Sequence, residues 1–244
     1  MRISTFLLAL SLIGISTAAW ANTGEIRIPE RTDWAYKGVR GTWDKAEIYR
    51  GYQVATQVCL ACHSFKYVSH RDLMRVGFTE NEVKALAKNL NMGVDDKLLT
   101  ALSPDDAQAT YGKVPPDLSL IARARQGGGD YLYALLTGYS EKPEVIKEYL
   151  PGGRPENAHF NLYFPGHAIA MPSPLGSAGL VNYTDGTDAS MEQMAHDVVT
   201  FLSWTAEPER IDRQHLGVYV LLYLLIFVVL AYLTKRAIWH GVKH

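Results

Sequence analysis

The sequence predicts a mainly α protein, with one helical domain that has long loops and a single C-terminal transmembrane helix. Two observations predict this. Several segments place apolar residues three or four positions apart, and Gly- and Pro-rich stretches separate them. Residues 216–234 then form a 19-residue run without a charged side chain. At about 1.5 Å per residue this run is about 28 Å long as a helix, which is close to the thickness of a bilayer core.

Five helices are predicted in the domain, each with an apolar stripe or with a start or stop signal at one end. They cover residues 44–58, 79–90, 118–125, 130–136 and 190–207. Thr79 with Glu82, and Ser190 with Gln193, have the spacing of a capping box, and Asp130 is a candidate N-cap.

The remaining segments of the domain lack a clear period. Residues 22–42 are predicted to be an irregular arm that packs on the domain. Residues 91–114 are predicted to be a loop, and residues 139–186 hold enough prolines to be mostly loop. The five predicted helices cover too little of the domain to bury a large hydrophobic core. A flat apolar cofactor would give these helices a surface to pack around.

The two ends indicate where the protein resides. Residues 1–21 have a positive residue, a short apolar run and the sequence Ala-Trp-Ala, which is typical of a signal peptide cleaved after Ala21. Lys235, Arg236 and Lys243 follow the apolar run, and positive residues favour the cytoplasmic side. The predicted organisation is a signal peptide at 1–21, a periplasmic domain at 22–214, a transmembrane anchor at 215–235 and a cytoplasmic tail at 236–244 of a bacterial inner-membrane protein.

Composition excludes several classes of protein. The formal net charge of −1 gives no indication of nucleic-acid binding. Several of the basic residues lie in the two ends, so the domain between them is mildly acidic and favours a basic partner. Only two cysteines are present, Cys59 and Cys62, which excludes a framework of several disulfides.

The sequence Cys59-Leu60-Ala61-Cys62-His63 is a C-x-x-C-H motif, the signature of covalent c-type haem attachment. Two thiols at this spacing can form thioether bonds to the two vinyl groups of haem, and the adjacent His63 can then bind the iron. A thioredoxin-like site would need a neighbouring βαβ pattern, and a zinc site would need four ligands. A disulfide between the two cysteines is the third alternative. The motif and the export signal together favour one covalent haem c.

The residues alone leave the second iron ligand open. Met191 and Met194 lie on an apolar helical stripe, which favours core packing, and Met74 follows the motif too closely to cross the haem. Met171 lies in a proline-rich loop that could hold a thioether against the iron, and we favour it. The alternatives that remain are Met92, His159 and His167.

Several blocks of sequence resemble the cytochrome c1 family in the family's order, over about residues 25–240. The most specific are PPDLS at 115–119 and LLTGY at 135–139, with RGYQV at 50–54, YFP at 163–165 and AEPE at 206–209. Residues 91–113 depart from the family because they look shorter than in mitochondrial members. The resemblance implies a cytochrome c-like haem domain.

The resemblance also implies roles for individual residues. Cys59 and Cys62 would attach haem c, His63 and Met171 would bind the iron, and Arg125 and Tyr131 would contact a haem propionate. The protein would be an electron-carrying subunit of a quinol–cytochrome c oxidoreductase, not an enzyme on its own. Its partners would be a cytochrome b subunit, a Rieske iron–sulfur protein as donor and a cytochrome c acceptor, with no nucleic acid. The alternatives are a haem enzyme or sensor with an open sixth position, and a protein without cofactor.

Overall fold

The computed structural model describes residues 29–38, 41–177 and 179–241, so the predicted signal peptide and the end of the tail lie outside the described residues. The mainly α prediction is confirmed. The described helices are α1 Lys45–Gln57, α2 Glu80–Asn89, α3 Pro104–Tyr111, α4 Ile121–Ala124, α5 Gly128–Thr137, α6 Pro143–Tyr149, α7 Met191–Ala206 and α8 Arg210–Ile238. Short 3₁₀ helices occur at Cys59–Ala61 and His70–Val76. Two small antiparallel sheets pair β1 Phe65–Ser69 with β2 Lys97–Leu98 and β3 His159–Phe160 with β4 Ala168–Ile169.

The packing of α1 against α7 forms the centre of the core. The two helices approach closely at Gly51, where an added Cβ would lie 2.1 Å from the backbone oxygen of Asp197. Arg50 Nε donates to Asp197 Oδ2 at 2.9 Å, and Gln193 Nε2 donates to the same oxygen at 3.0 Å. Because Asp197 is fully buried, these charge-assisted bonds offset the cost of removing its carboxylate from water. The contact therefore fixes how the two helices sit against each other.

The predicted irregular arm is described from residue 29, and there it packs on the domain as expected. Trp34 and Tyr36 are buried in the hydrophobic core. Asp130 was predicted to be an N-cap, but this is wrong, because α5 already begins at Gly128. Asp130 instead accepts hydrogen bonds from the backbone N–H of Thr32, from Trp34 Nε1 at 2.6 Å and from Lys37 Nζ at 2.6 Å. The side chain ties the arm to α5.

Two of the predicted loops contain helices. The segment 91–114 holds β2 and α3, and the start signals of α3 are Ser103, whose hydroxyl accepts from the N–H of Asp106, and Pro104 at the first position. The segment 139–186 holds α6, which also begins with a proline, Pro143, as well as β3 and β4. A proline thus marks the helix start in both segments, although the prolines of the second segment had favoured loop. The helix predicted over 118–125 is shorter than expected, since only Ile121–Ala124 is helical.

The C-terminal helix α8 is long and apolar enough to cross a membrane, and its apolar side chains are exposed. Its mean hydropathy over the best window is 2.7. It begins at Arg210, several residues before the uncharged run, and it follows α7 after only three residues. The candidate membrane-spanning helix thus starts directly after the domain, three residues beyond α7.

Candidate haem site

The two cysteines and the adjacent histidine lie on one tight turn directly after α1. The 3₁₀ helix Cys59–Ala61 brings the backbone N–H of Cys62 to Cys59 O at 3.1 Å and that of His63 to the same oxygen at 2.8 Å. Both thiols are free and half-buried. Burial raises the pKa of the Cys59 thiol to about 12, so this sulfur is neutral and in an apolar setting. The turn presents two thiols and one imidazole within a single loop.

One hydrogen bond orients the imidazole of His63. Its Nδ1 lies 2.8 Å from the carbonyl oxygen of Pro116, and since a carbonyl only accepts, Nδ1 carries the proton and donates. The other ring nitrogen, Nε2, is then the one with a lone pair for a metal. Burial lowers the pKa of His63, although the bond to Pro116 acts in the opposite direction, so the neutral form is favoured. A neutral, oriented imidazole is what an iron ligand requires.

The segment after Pro116 holds this turn in place. Asp117 accepts from the backbone N–H of Lys66 at 2.8 Å and from that of Ser119 at 2.9 Å. The N–H of Leu118 donates to Ser64 O at 2.8 Å. Two of these bonds tie the segment to residues 64 and 66, directly after the cysteine turn, and the bond to Ser119 fixes the Asp117 side chain.

Met171 lies in a different part of the molecule, in the loop after β4. It is half-buried, and its backbone oxygen accepts a hydrogen bond from the hydroxyl of Tyr139 at 3.1 Å. The buried Asn161 organises the same region, because its side chain donates to Leu135 O at 2.7 Å and accepts from the N–H groups of Tyr163 and Phe164. These bonds place the Met171 loop beside the end of α5.

The other candidates for the second ligand are engaged elsewhere. Met92 and Met191 pack against the main hydrophobic core, and Met194 is fully buried within it. The ring of His167 stacks on Phe160, with their centroids 6.0 Å apart. His159, Met74 and Met171 are left among the described candidates, and they occupy β3, the 3₁₀ helix His70–Val76 and the loop after β4.

Arg125 and Tyr131 lie on the same side of the molecule as Met171. Arg125 is exposed at the end of α4, and its charge acts on the hydroxyl of Tyr131, which is buried on α5. Tyr131 in turn is an electrostatic neighbour of Tyr139. Burial raises the pKa of both tyrosines, so their hydroxyls stay protonated and can donate. The six predicted site residues therefore form two groups, the cysteine turn and the cluster around Met171, and both border the same hydrophobic core through Cys59 and Tyr131.

Sequence reasoning missed the residues that support these groups. Pro116 gives its carbonyl to His63, Tyr111 places its hydroxyl 3.8 Å from Cys62 Sγ, and Asn161 organises the Met171 region. A signal was present only for Asn161, since Asn just before an aromatic–proline stretch favours a turn in which its side chain bonds to the backbone ahead.

Comparison with known proteins decides the family. The model of the Cytochrome C1 family matches residues 34–242. The chain belongs to the cytochrome c1 family. The cytochrome c1 of Rhodospirillum rubrum is 40% identical, over 96% of this chain and 95% of that protein. The mitochondrial cytochrome c1 heme protein of Saccharomyces cerevisiae is also 40% identical, over 86% of this chain and 72% of the yeast protein.

A third relative has a name that includes its complex. The cytochrome b-c1 complex catalytic subunit of Candida albicans is 39% identical, over 88% of this chain and 79% of that protein. Membership in the cytochrome c1 family confirms the predicted class, a haem-carrying electron-transfer subunit and not an independent enzyme. The thioredoxin-like alternative lacks its fold, because the described part of the chain has only two-stranded antiparallel sheets. Within residues 29–38, 41–177 and 179–241, no group of three or more His, Cys, Asp or Glu side chains could hold a metal ion.

Proposed function

We propose that this chain holds one haem c on Cys59 and Cys62, with His63 and Met171 as the two residues that would bind its iron. The observation that carries the proposal is the hydrogen bond from His63 Nδ1 to Pro116 O, which leaves Nε2 as the metal-binding nitrogen. The residues fit the group: two free thiols with the required spacing stand next to an imidazole in the correct tautomer. Haem bound in this way supplies one-electron chemistry, and the chain supplies its attachment and its two ligands.

The choice of Met171 is supported by its surroundings. Met92, Met191 and Met194 are used in core packing, whereas Met171 lies outside the main core in a loop held by the bond to Tyr139. If Met171 and His63 hold the iron, the neutral thioether would favour its reduced state and would raise the reduction potential. With both axial positions filled, the iron would carry electrons and would not bind a substrate.

Arg125 and Tyr131 are proposed to contact a haem propionate. The exposed guanidinium of Arg125 is not in an ion pair within the described part of the chain, and the Tyr131 hydroxyl beside it is protonated. A guanidinium and a phenol can both donate to a carboxylate, and the bond from arginine is charge-assisted.

The proposed physiological role follows from the relatives. Electrons would arrive from a Rieske iron–sulfur protein and leave to a cytochrome c, within a complex that includes a cytochrome b subunit. The domain at residues 22–214 would lie in the periplasm after removal of residues 1–21, with the anchor at 215–235 and the tail at 236–244 in the cytoplasm. The basic residues directly after the uncharged run support this orientation.

Haem staining of the denatured protein tests the attachment. The double variant Cys59→Ser, Cys62→Ser is expected to lose the stain, since no thioether bond can form. Met171→Ala is expected to lose the weak near-infrared absorption band of methionine-ligated ferric haem, while Met74→Ala, on an exposed methionine, keeps it. Retention of the stain in the double variant, or of the band in Met171→Ala, would contradict the assignment.

Carbon monoxide separates this proposal from a haem enzyme or sensor with an open sixth position. The reduced native protein is expected to bind carbon monoxide slowly or not at all, because Met171 occupies the site. The Met171→Ala variant is expected to bind it quickly. Rapid binding by the native protein would favour the enzyme or sensor.

A further inference from the structure

A basic cavity lies at the junction between the domain and the transmembrane helix, and Arg125 is the residue that its lining shares with the proposed haem site. It has a volume of about 280 Å³. Its charged lining consists of Lys37, Arg123, Arg125 and Arg210 with a single acidic residue, Glu207. Its floor includes the buried aromatic ring of Tyr36, which the guanidinium of Arg210 faces at 5.7 Å.

The positive charge of this cavity is only partly compensated within the described residues. Lys37 is neutralised by Asp130 at 2.6 Å, outside the cavity lining. Arg123 and Arg210 share Glu207, each at 3.5 Å, which is a long distance for an ion pair.

Glu207 is also the partner of a third arginine. Arg213 NH2 contacts it at 2.9 Å from outside the cavity. The Nε of Arg210 is buried and has no hydrogen-bond partner in the part of the chain that the structure describes. Because one carboxylate serves three guanidinium groups, a buried donor and a net positive charge remain for a ligand.

The position of the cavity identifies the class of ligand. Arg210 is the first residue of α8, and the uncharged run starts at residue 216, six residues later. At about 1.5 Å per residue these positions are about 9 Å apart along the helix. The polar headgroup layer on each side of a bilayer core is roughly 5–8 Å thick. The cavity therefore lies close to the lipid phosphates of the leaflet on which the domain rests.

We propose that this cavity binds the phosphate of an anionic phospholipid headgroup, with Arg123 and Arg210 as its donors. Guanidinium groups donate to phosphate through two parallel bonds, which suits the paired arginines. The lipid would tie the domain to the membrane surface at the point where α8 enters it. This inference does not depend on the iron ligands, and Arg125 has no role in its test.

The test uses the full haem-loaded chain in detergent and isothermal titration calorimetry. The probes are short-chain dihexanoyl phosphatidylglycerol, dihexanoyl phosphatidylcholine and inorganic phosphate. Phosphatidylglycerol is expected to bind about tenfold more tightly than either of the others. Equal binding of phosphatidylcholine, or equal binding of inorganic phosphate, would overturn the proposal, because the site would then not select an anionic lipid.

Three variants locate the site. Arg123→Gln and Arg210→Gln are each expected to weaken binding of phosphatidylglycerol about tenfold, since each removes a charge-assisted contact. Arg213→Gln is the matched control, because it removes the same charge and the same Glu207 partner from outside the cavity. Arg210→Lys keeps the charge and should retain part of the affinity. An equal loss in Arg213→Gln would overturn the proposal, because the affinity would then come from diffuse positive charge. Unchanged affinity in the Arg123 variant would also overturn it. The Arg123 side chain is exposed, so its replacement is not expected to disturb folding.

Discussion

The proposed haem site joins two regions that are built differently. The helical half, which comprises α1, the cysteine turn and α7, is held by helix packing in direct contact at Gly51 and by the buried Arg50–Asp197 pair. The loop half, residues 138–171, is held mainly by hydrogen bonds from neutral side chains to the backbone, above all those of Asn161 and Tyr139. In the proposed site, the first would provide the covalent attachment and the second the exchangeable ligand. The difference implies that the loop half can be loosened while the haem stays attached.

The largest expected effect comes from breaking the helical half at Gly51. Gly51→Ala places a Cβ 2.1 Å from Asp197 O and 2.6 Å from Phe201 Cβ, so α1 and α7 must separate. We expect a loss of about 3 kcal/mol in the free energy of unfolding, at the upper end for overpacking. Thermal unfolding and the yield of covalently attached haem measure it.

The matched control is Gly152→Ala, at an exposed glycine where an added Cβ would meet nothing within 4 Å. It should leave both measurements unchanged. If Gly51→Ala behaves like the control, the close helix contact is not what holds the helical half together.

The second prediction breaks the loop half alone. Asn161→Ala removes a donor to Leu135 O and an acceptor for two backbone N–H groups in a fully buried position. At about 1 kcal/mol net for each bond, we expect a loss of about 2 kcal/mol or more, confined to this region. The near-infrared methionine band should disappear, whereas covalent haem staining should persist.

Asn89→Ala, at an exposed position on α2, is the control for Asn161→Ala and should keep the band. Loss of the covalent haem together with the band would show that the two halves fold as one unit. This result would contradict the inference that the loop half can be loosened separately.

The two halves also differ in how well their sequence predicts them. The helical half follows local rules: Asp44 caps α1, Ser190 caps α7, and the C-x-x-C-H motif lies where α1 ends. The loop half depends on contacts between residues far apart in sequence, such as Asn161 with Leu135 and Tyr139 with Met171, which no periodicity reveals. For the same reason, the local pattern predicted that Asp130 caps its own helix, whereas its side chain accepts hydrogen bonds from the arm, including one from Thr32.

The third prediction uses pH to separate the halves. Although partial burial opposes it, the hydrogen bonds from Lys37, Trp34 and Thr32 lower the pKa of Asp130 below its ordinary value of 3.8. A depressed pKa stabilises the folded state fully above the unfolded value, and this contribution is lost as the pH falls from about 4 through the folded value. The bonds of Asn161 and Tyr139 do not titrate in this range, so acid should release the arm before the loop half.

Asp130→Asn tests this assignment. It should cost about 1.5 kcal/mol at pH 7, as expected for hydrogen bonds to a charged group, and almost nothing below the folded pKa. Tryptophan fluorescence of Trp34 reports the arm, and the near-infrared band reports the loop half. Asp33→Asn, on an exposed residue of the same arm, is the matched control and should keep the wild-type stability at pH 7. A stability difference for Asp130→Asn that does not shrink in acid would contradict the tether.

The smallest expected effect concerns the single bond that holds the Met171 backbone. Tyr139→Phe removes the donor to Met171 O and leaves a carbonyl to find water, at a cost of about 1 kcal/mol. The methionine band should remain, because the ring still packs, but the ligand should dissociate more often, and carbon monoxide should bind the reduced protein about fivefold faster. Tyr67→Phe, at a tyrosine that is 67% exposed, is the matched control and should bind at the wild-type rate. An unchanged rate in Tyr139→Phe would mean that the Asn161 bonds alone hold the loop. The binding of the proposed ligand Met171 would then depend on one buried side chain.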